Sequence, residues 1–183
     1  DGDVTGNHNG GAEDAWVIKL NSNGGKEWAK CYGAILNERA AYIQQTSSDE
    51  GYIVCGRTET AFDDGDVSGN HGKPGLIDCW VIKLKPNGDK EWAKCYGGTG
   101  GEMGHSIIEA KGGGYVMIAI TSDSKDGDVI PKLQGDVGNH GQYDWWVVKL
   151  KDNGAIEWQR CLGGSNLDEP SSIIENMDGD YVI

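Results

Sequence analysis

Along the run that begins at Trp16, apolar Trp16, Ile18 and Leu20 alternate with Val17 and Lys19. A period of two residues is the mark of a half-buried strand. The same pentapeptide returns as WVIKL at Trp80 and as WVVKL at Trp146. A second predicted strand follows each, in EWAKCY from Glu27, EWAKCYG from Glu91 and EWQRCLG from Glu157. Asn-Gly at Asn23, Asn87 and Asn153 separates the two. Both residues tolerate positive φ, so a tight hairpin is expected there. A third strand is read in AAYIQQT from Ala40, HSIIEA from His105 and SSIIEN from Ser171. A fourth is read in GYIVCG from Gly51, GYVMIA from Gly114 and DYVI from Asp180. Glycine-containing turns join the third and fourth strands into a second hairpin. No stretch carries a convincing helical period.

The pattern is one unit said three times. DGDVTGNHNG opens at Asp1 and DGDVSGNHG at Asp64, while DGDV returns at Asp126 and GNHG at Gly138. The units run over about 1–63, 64–125 and 126–183 of a single repeat domain. A four-stranded unit of this size cannot bury both faces alone. Stacking units face to face gives an all-β, β-propeller-like architecture of three antiparallel blades. Trp16, Trp80 and Trp146 share one repeat position, and Trp28, Trp92 and Trp158 share another. Each ring can bury roughly 150–250 Å², so all six are expected in the core. Propellers typically carry about 4–8 blades, and three leave open sheet edges that invite pairing. The chain is therefore expected to be a fragment of a longer array, or to close with a second chain into a six-bladed ring. A β-trefoil of three four-stranded units is the alternative fold.

Thirty glycines and seven tryptophans beside one phenylalanine suit short strands and tight turns. The formal net charge of −13 argues against nucleic acid and anionic membranes as partners. No apolar run is long enough to span a bilayer, so no membrane insertion is expected. The ordered set DGDVSGNHG, D-x-WVIKL, NG-x-x-EW-x-x-CYGG and SI-x-x-x-x-x-GGY covers the whole chain. It resembles a repeat of secreted bacterial β-propeller proteins, which are often attached to large surface or secreted proteins. The resemblance implies a four-stranded blade and an extracellular or cell-surface setting, and no reaction.

The acidic loop before each WVIKL strand is the first candidate for chemistry. It offers Asp1, Asp3 and Asp14 in one unit and Asp64, Asp66 and Asp78 in the next. D-x-D-x-[ST]-G resembles the first half of a calcium loop, in which alternate carboxylates face one centre. Ca2+ is thus a possible cofactor. Two Asp and one hydroxyl fall short of its 6–8 oxygen ligands, and no Glu stands at the twelfth position. In the third unit Asp136 stands in for the second Asp, after an inserted IPKLQG. The competing reading is a polar turn, with Asp and Asn bonded to nearby backbone N–H groups. His8, His71 and His140 repeat in GNH and read as structural.

Cys31, Cys95 and Cys161 share a repeat position and read as core packing. Cys55 and Cys79 stand alone, on the fourth strand of one unit and the first strand of the next. If those strands pair antiparallel, a Cys55–Cys79 disulfide is within geometric reach. Trp145, beside Tyr143, has no aromatic counterpart in the other units, and the pair could form a ligand-binding platform. The expected function is a binding, interaction or structural scaffold whose ligand is a glycan or a protein, with self-association through open sheet edges a further possibility. An enzyme acting on polysaccharide through loop carboxylates is the alternative, with Glu102, Asp168 and Glu169 as its candidate acids because they are read as specific to their units. A purely architectural spacer in an adhesin is the third reading.

Overall fold

A computed structural model describes residues 4, 13–71, 75–122, 124, 126–129 and 140–183. Among them the chain is all-β, with twelve strands. They are β1 (Ala15–Leu20), β2 (Lys26–Tyr32), β3 (Glu38–Gln45), β4 (Tyr52–Thr58), β5 (Asp78–Leu84) and β6 (Lys90–Tyr96), followed by β7 (Gly101–Glu109), β8 (Tyr115–Ser122), β9 (Asp144–Leu150), β10 (Ile156–Leu162), β11 (Ile174–Glu175) and β12 (Tyr181–Val182). Every pairing between these strands is antiparallel. The Asn-Gly turns close the predicted hairpins, with Gly24, Gly88 and Gly154 at positive φ.

The strands do not assemble unit by unit. β3-β4-β5-β6 form one four-stranded sheet and β7-β8-β9-β10 the next. Each sheet thus takes the third and fourth strands of one repeat and the first and second of the following one. β1-β2 and β11-β12 are left as two-stranded sheets. The sheet is offset from the sequence unit by half a repeat because the Cys-Tyr-Gly turn after β2 and β6 carries the chain out of one sheet into another. The longer 59–77 loop, by contrast, returns it to the neighbouring position in the same sheet, where β5 pairs with β4.

The sheets stack as layers. One core cluster joins β1-β2 to one face of β3–β6 through Val17, Tyr32, Val54, Trp80 and Ile82. A second joins the opposite face of that sheet to β7–β10 through Ile53, Val81, Ile107, Met117 and Trp146. A third joins β7–β10 to β11-β12 through Ile108, Val116, Ile118 and Ile173. An aromatic pair repeats at each junction: Trp28 on Tyr52, Trp92 on Tyr115 and Trp158 on Tyr181, with ring centroids 5.8–6.1 Å apart. Trp28 Nε1 and Trp92 Nε1 donate to the carbonyls of Pro86 and Asp152 in the next hairpin turn.

The six repeated tryptophans are not uniformly interior. Trp80 and Trp146 are buried, whereas Trp16 is 39 % exposed, and Trp28, Trp92 and Trp158 are half-buried between layers. Trp16 differs because, among the described residues, β1 pairs with β2 alone, whereas β5 and β9 each have a strand on both sides. No closed barrel of trefoil type is formed by the described residues; the four-stranded sheets are open.

Candidate functional site

The acidic glycine loops act as clamps between repeats. Asp64 and Val67 exchange backbone hydrogen bonds around Gly65. The Asp64 carboxylate accepts from the Ile35 N–H and that of Asp66 from the Gly33 N–H, while the Asp66 N–H donates to the Gly33 carbonyl. Asp66 also pairs with Lys90. The next copy repeats the clamp: Asp126 accepts from the N–H and hydroxyl of Thr99, and the Asp128 N–H donates to the Gly97 carbonyl. Asp126 and Asp128, not Asp136, are therefore the counterparts of Asp64 and Asp66. The loop glycine is required: Gly65 and Gly127 have φ of +54° and +61°, and a Cβ on either would stand 2.4 Å from the facing carbonyl oxygen. Asp1, Asp3, His8 and Asp136 lie outside the described residues.

Asp14, Asp78 and Asp144, one residue before each strand-one position that precedes tryptophan, do a different job. Asp78 and Asp144 are fully buried, and each accepts from the backbone N–H of its GNH histidine, His71 or His140. Each Asp meets a second acid brought by the start of the third strand. Glu38 and Glu102 are fully buried. Glu38 accepts from the hydroxyls of Thr58 and Thr60 and from the Ala34 N–H. Glu102 does the same with Thr121, Ser124 and the Gly98 N–H. In the third copy Asp168 accepts from the Gly164 N–H at 2.7 Å. The glycine of each Cys-Tyr-Gly or Cys-Leu-Gly turn lies against both acids. A Cβ on Gly33, Gly97 or Gly163 would come within 2.2–2.7 Å of the Asp Oδ1.

This removes the basis on which Glu102 and Asp168 were expected to be unit-specific. They are one repeat position, shared with Glu38, seven residues after the repeated cysteine. Burial is the first cause raising the carboxyls of Glu38 and Glu102 above their ordinary range. Burial also raises Asp78, to about 6, with the Glu102 charge adding to it. Glu102 has no solvent access, and its hydrogen bonds hold it in the scaffold. The paired acids were legible in the sequence only as D-x-W and Cys-Tyr-Gly-x4-Glu, two motifs whose meeting depends on the layer-to-layer crossing.

The disulfide expectation is corrected by register. β4 and β5 do pair antiparallel, but Cys55 stands opposite Val81 and Cys79 opposite Arg57. Such diagonal neighbours lie roughly 7–8 Å apart, beyond disulfide reach. Both are buried free thiols.

Next to the carboxylate locks lies a groove of about 540 Å³ between the two full sheets. Arg57, Ile77, Met103, Tyr143, Leu167 and Glu169 are among the residues that line it. Tyr143 is 39 % exposed at its lip, and its carbonyl accepts from the Asp168 N–H, tying two walls together. Trp145 does not share this setting. It is half-buried between Ile120 and Leu162 on the neighbouring strands, and its Nε1 is buried. Aligning the repeats shows what is particular about the groove. Ile77 and Tyr143 share a repeat position, as do Gly101 and Leu167, Met103 and Glu169, and Arg57 and Ile120. The clamps and acid locks repeat, whereas these lining positions change from copy to copy.

Among the described residues, no group of His, Cys, Asp and Glu is disposed to hold a metal ion, and no helix is long and apolar enough to cross a membrane. No protein-family model matches the chain, and no curated protein matches it.

Proposed function

We propose that this chain is a β-propeller-like segment of an extracellular or cell-surface protein, and that it presents the Tyr143 groove to a glycan or protein ligand. The observation that carries this reading is the contrast between repeated scaffold positions and variable groove positions. A spacer has no need to change one set of contacts while keeping the rest. The groove mixes apolar Ile77, Met103, Ile120 and Leu167 with Arg57 and Glu169. That combination suits a ligand with an apolar face and hydrogen-bonding edges. Tyr143 supplies the aromatic face on which a sugar ring or a side chain can pack. Loops held by a rigid sheet scaffold provide the recognition surface.

The test is binding of the immobilised chain to a panel of polysaccharides and secreted proteins. A ligand that binds the native chain should lose at least about tenfold in affinity on Tyr143→Ala, which corresponds to about 1.4 kcal/mol. Glu169→Ala should weaken it as well, while Glu50→Ala, on a distant hairpin turn, should leave it unchanged. Absence of any binding across the panel would favour the architectural reading. Hydrolysis of a polysaccharide that survives Tyr143→Ala and Glu169→Ala would favour an enzyme working elsewhere on the molecule.

A further inference from the structure

Arg57 lines the Tyr143 groove with its charge unanswered. The chain carries 29 acidic against 16 basic side chains, so a guanidinium without a carboxylate is the exception in it. Among the described residues the half-buried Arg57 side chain makes a single hydrogen bond, from Nη1 to Met103 Sδ at 3.7 Å. A thioether is a weak acceptor, whereas a guanidinium donates along several N–H bonds at once. Glu169 lines the same groove but forms no ion pair with Arg57.

The neighbouring strand sharpens the imbalance. Arg39 stands directly opposite Arg57 in the β3–β4 register, and like charges so placed repel. Glu13 is drawn to Arg39, whose Nε donates to it. Both arginines line a recess of about 280 Å³ together with Met103. Arg57 and Met103 also line the groove, so the two hollows adjoin at Arg57. Neither arginine is a scaffold position: Ile120 is the counterpart of Arg57, and Met103 and Glu169 are those of Arg39.

The backbone of this wall is closed to an added strand. β4 pairs with β3 and β5, and β8 pairs with β7 and β9. The Glu102 N–H is taken by the Ile77 carbonyl, and the Tyr143 carbonyl by the Asp168 N–H. An extended peptide that binds by adding a strand finds no free edge here. Recognition is left to side chains, and an aromatic face beside a planar cation suits a ring that carries a carboxylate.

We infer that the ligand of this groove is an acidic glycan, a chain of uronic acid units, with a ring packed on Tyr143 and a carboxylate held in the fork of Arg57. The inference rests on the groove being the binding surface. A guanidinium meets a carboxylate through paired N–H···O bonds, and the bound anion offsets the repulsion between Arg39 and Arg57. The adjoining recess, with Arg39 on its wall, takes a further acidic unit.

The test is calorimetric titration of the native chain with oligogalacturonate and oligoglucuronate of equal length, their methyl esters, a neutral galactan fragment and polyglutamate. At least one free uronate should bind, and its methyl ester should bind at least about tenfold more weakly. Arg57→Gln should remove that difference and Arg57→Lys should keep part of it, both with unchanged circular dichroism. Tyr143→Ala should weaken the acid and the ester alike. An ester or neutral galactan bound as tightly as the acid, and still dependent on Tyr143, would overturn the acidic assignment and leave the groove as the binding surface. A difference between acid and ester that survives Arg57→Gln would place the carboxylate elsewhere and overturn it too. Polyglutamate bound more tightly than either uronate would overturn it in favour of a protein ligand. Uronate binding indifferent to both Arg57 and Tyr143 would overturn the inference and the groove reading together. No binding of either uronate would overturn the inference alone, since the groove reading is tested on the wider panel.

Discussion

Asp78 and Glu102 meet over the backbone of Gly97, where a Cβ would stand 2.7 Å from Asp78 Oδ1 and 2.5 Å from Glu102 Oε2. One acid arrives on β5 of one sheet and the other on β7 of the next. Their meeting fixes the turn that carries the chain between layers, next to the groove at Tyr143.

Because burial raises the Asp78 carboxyl to about 6, the folded state favours its protonated form. The unfolded value is about 3.9, so this group's stabilising contribution is fully present below that pH and is lost as pH rises through about 6. Stability should fall by something on the order of 2–3 kcal/mol between pH 4 and pH 7 from this site. Denaturant titration across that range checks it. Asp78→Asn, neutral at every pH, should flatten the slope; an unchanged slope would show that Asp78 is not the titrating group.

Gly97→Ala should destabilise the fold by roughly 1–3 kcal/mol, the usual cost of forcing an atom into a filled interior. Gly112→Ala is the control, since a Cβ there meets nothing within 4 Å. Urea melts of the two variants should differ by most of that amount.

The same tryptophan position should be worth different amounts in different copies. Trp80→Ala should cost roughly 3–5 kcal/mol, as for a buried aromatic. Trp16→Ala should cost far less, because Trp16 is 39 % exposed. Equal losses at the two positions would mean that β1 is covered in the single chain.

Asp66→Ala removes an acceptor for the Gly33 N–H and the partner of Lys90. Its melting temperature should drop by the same few degrees with added calcium and with chelator. A drop seen only in calcium would assign the loop to a cation instead of a clamp.

All five cysteines should take up an alkylating reagent in denaturant without reductant, because the β4–β5 register keeps Cys55 and Cys79 apart. In the native state Cys55 and Cys79 should label slowly, since burial raises both thiols well above their ordinary range. Three labels by mass spectrometry would indicate a bond between them.

Much of this molecule follows from the sequence alone. Residue alternation in WVIKL, Asn-Gly at each hairpin and the threefold repeat specify the strands and their antiparallel turns, since these depend on neighbours within a few residues. Which hairpins share a sheet is a matter of contacts twenty or more residues apart, and periodicity carries no information on that. Tertiary structure therefore decided the half-repeat offset of the sheets, the meeting of the D-x-W aspartates with Glu38, Glu102 and Asp168, and the two-residue stagger of Cys55 and Cys79. It also decided that Tyr143 lines a groove while Trp145 does not, and that Trp16 is exposed where Trp80 is buried. In each case identical or adjacent side chains differ only in what the stacked layers place against them.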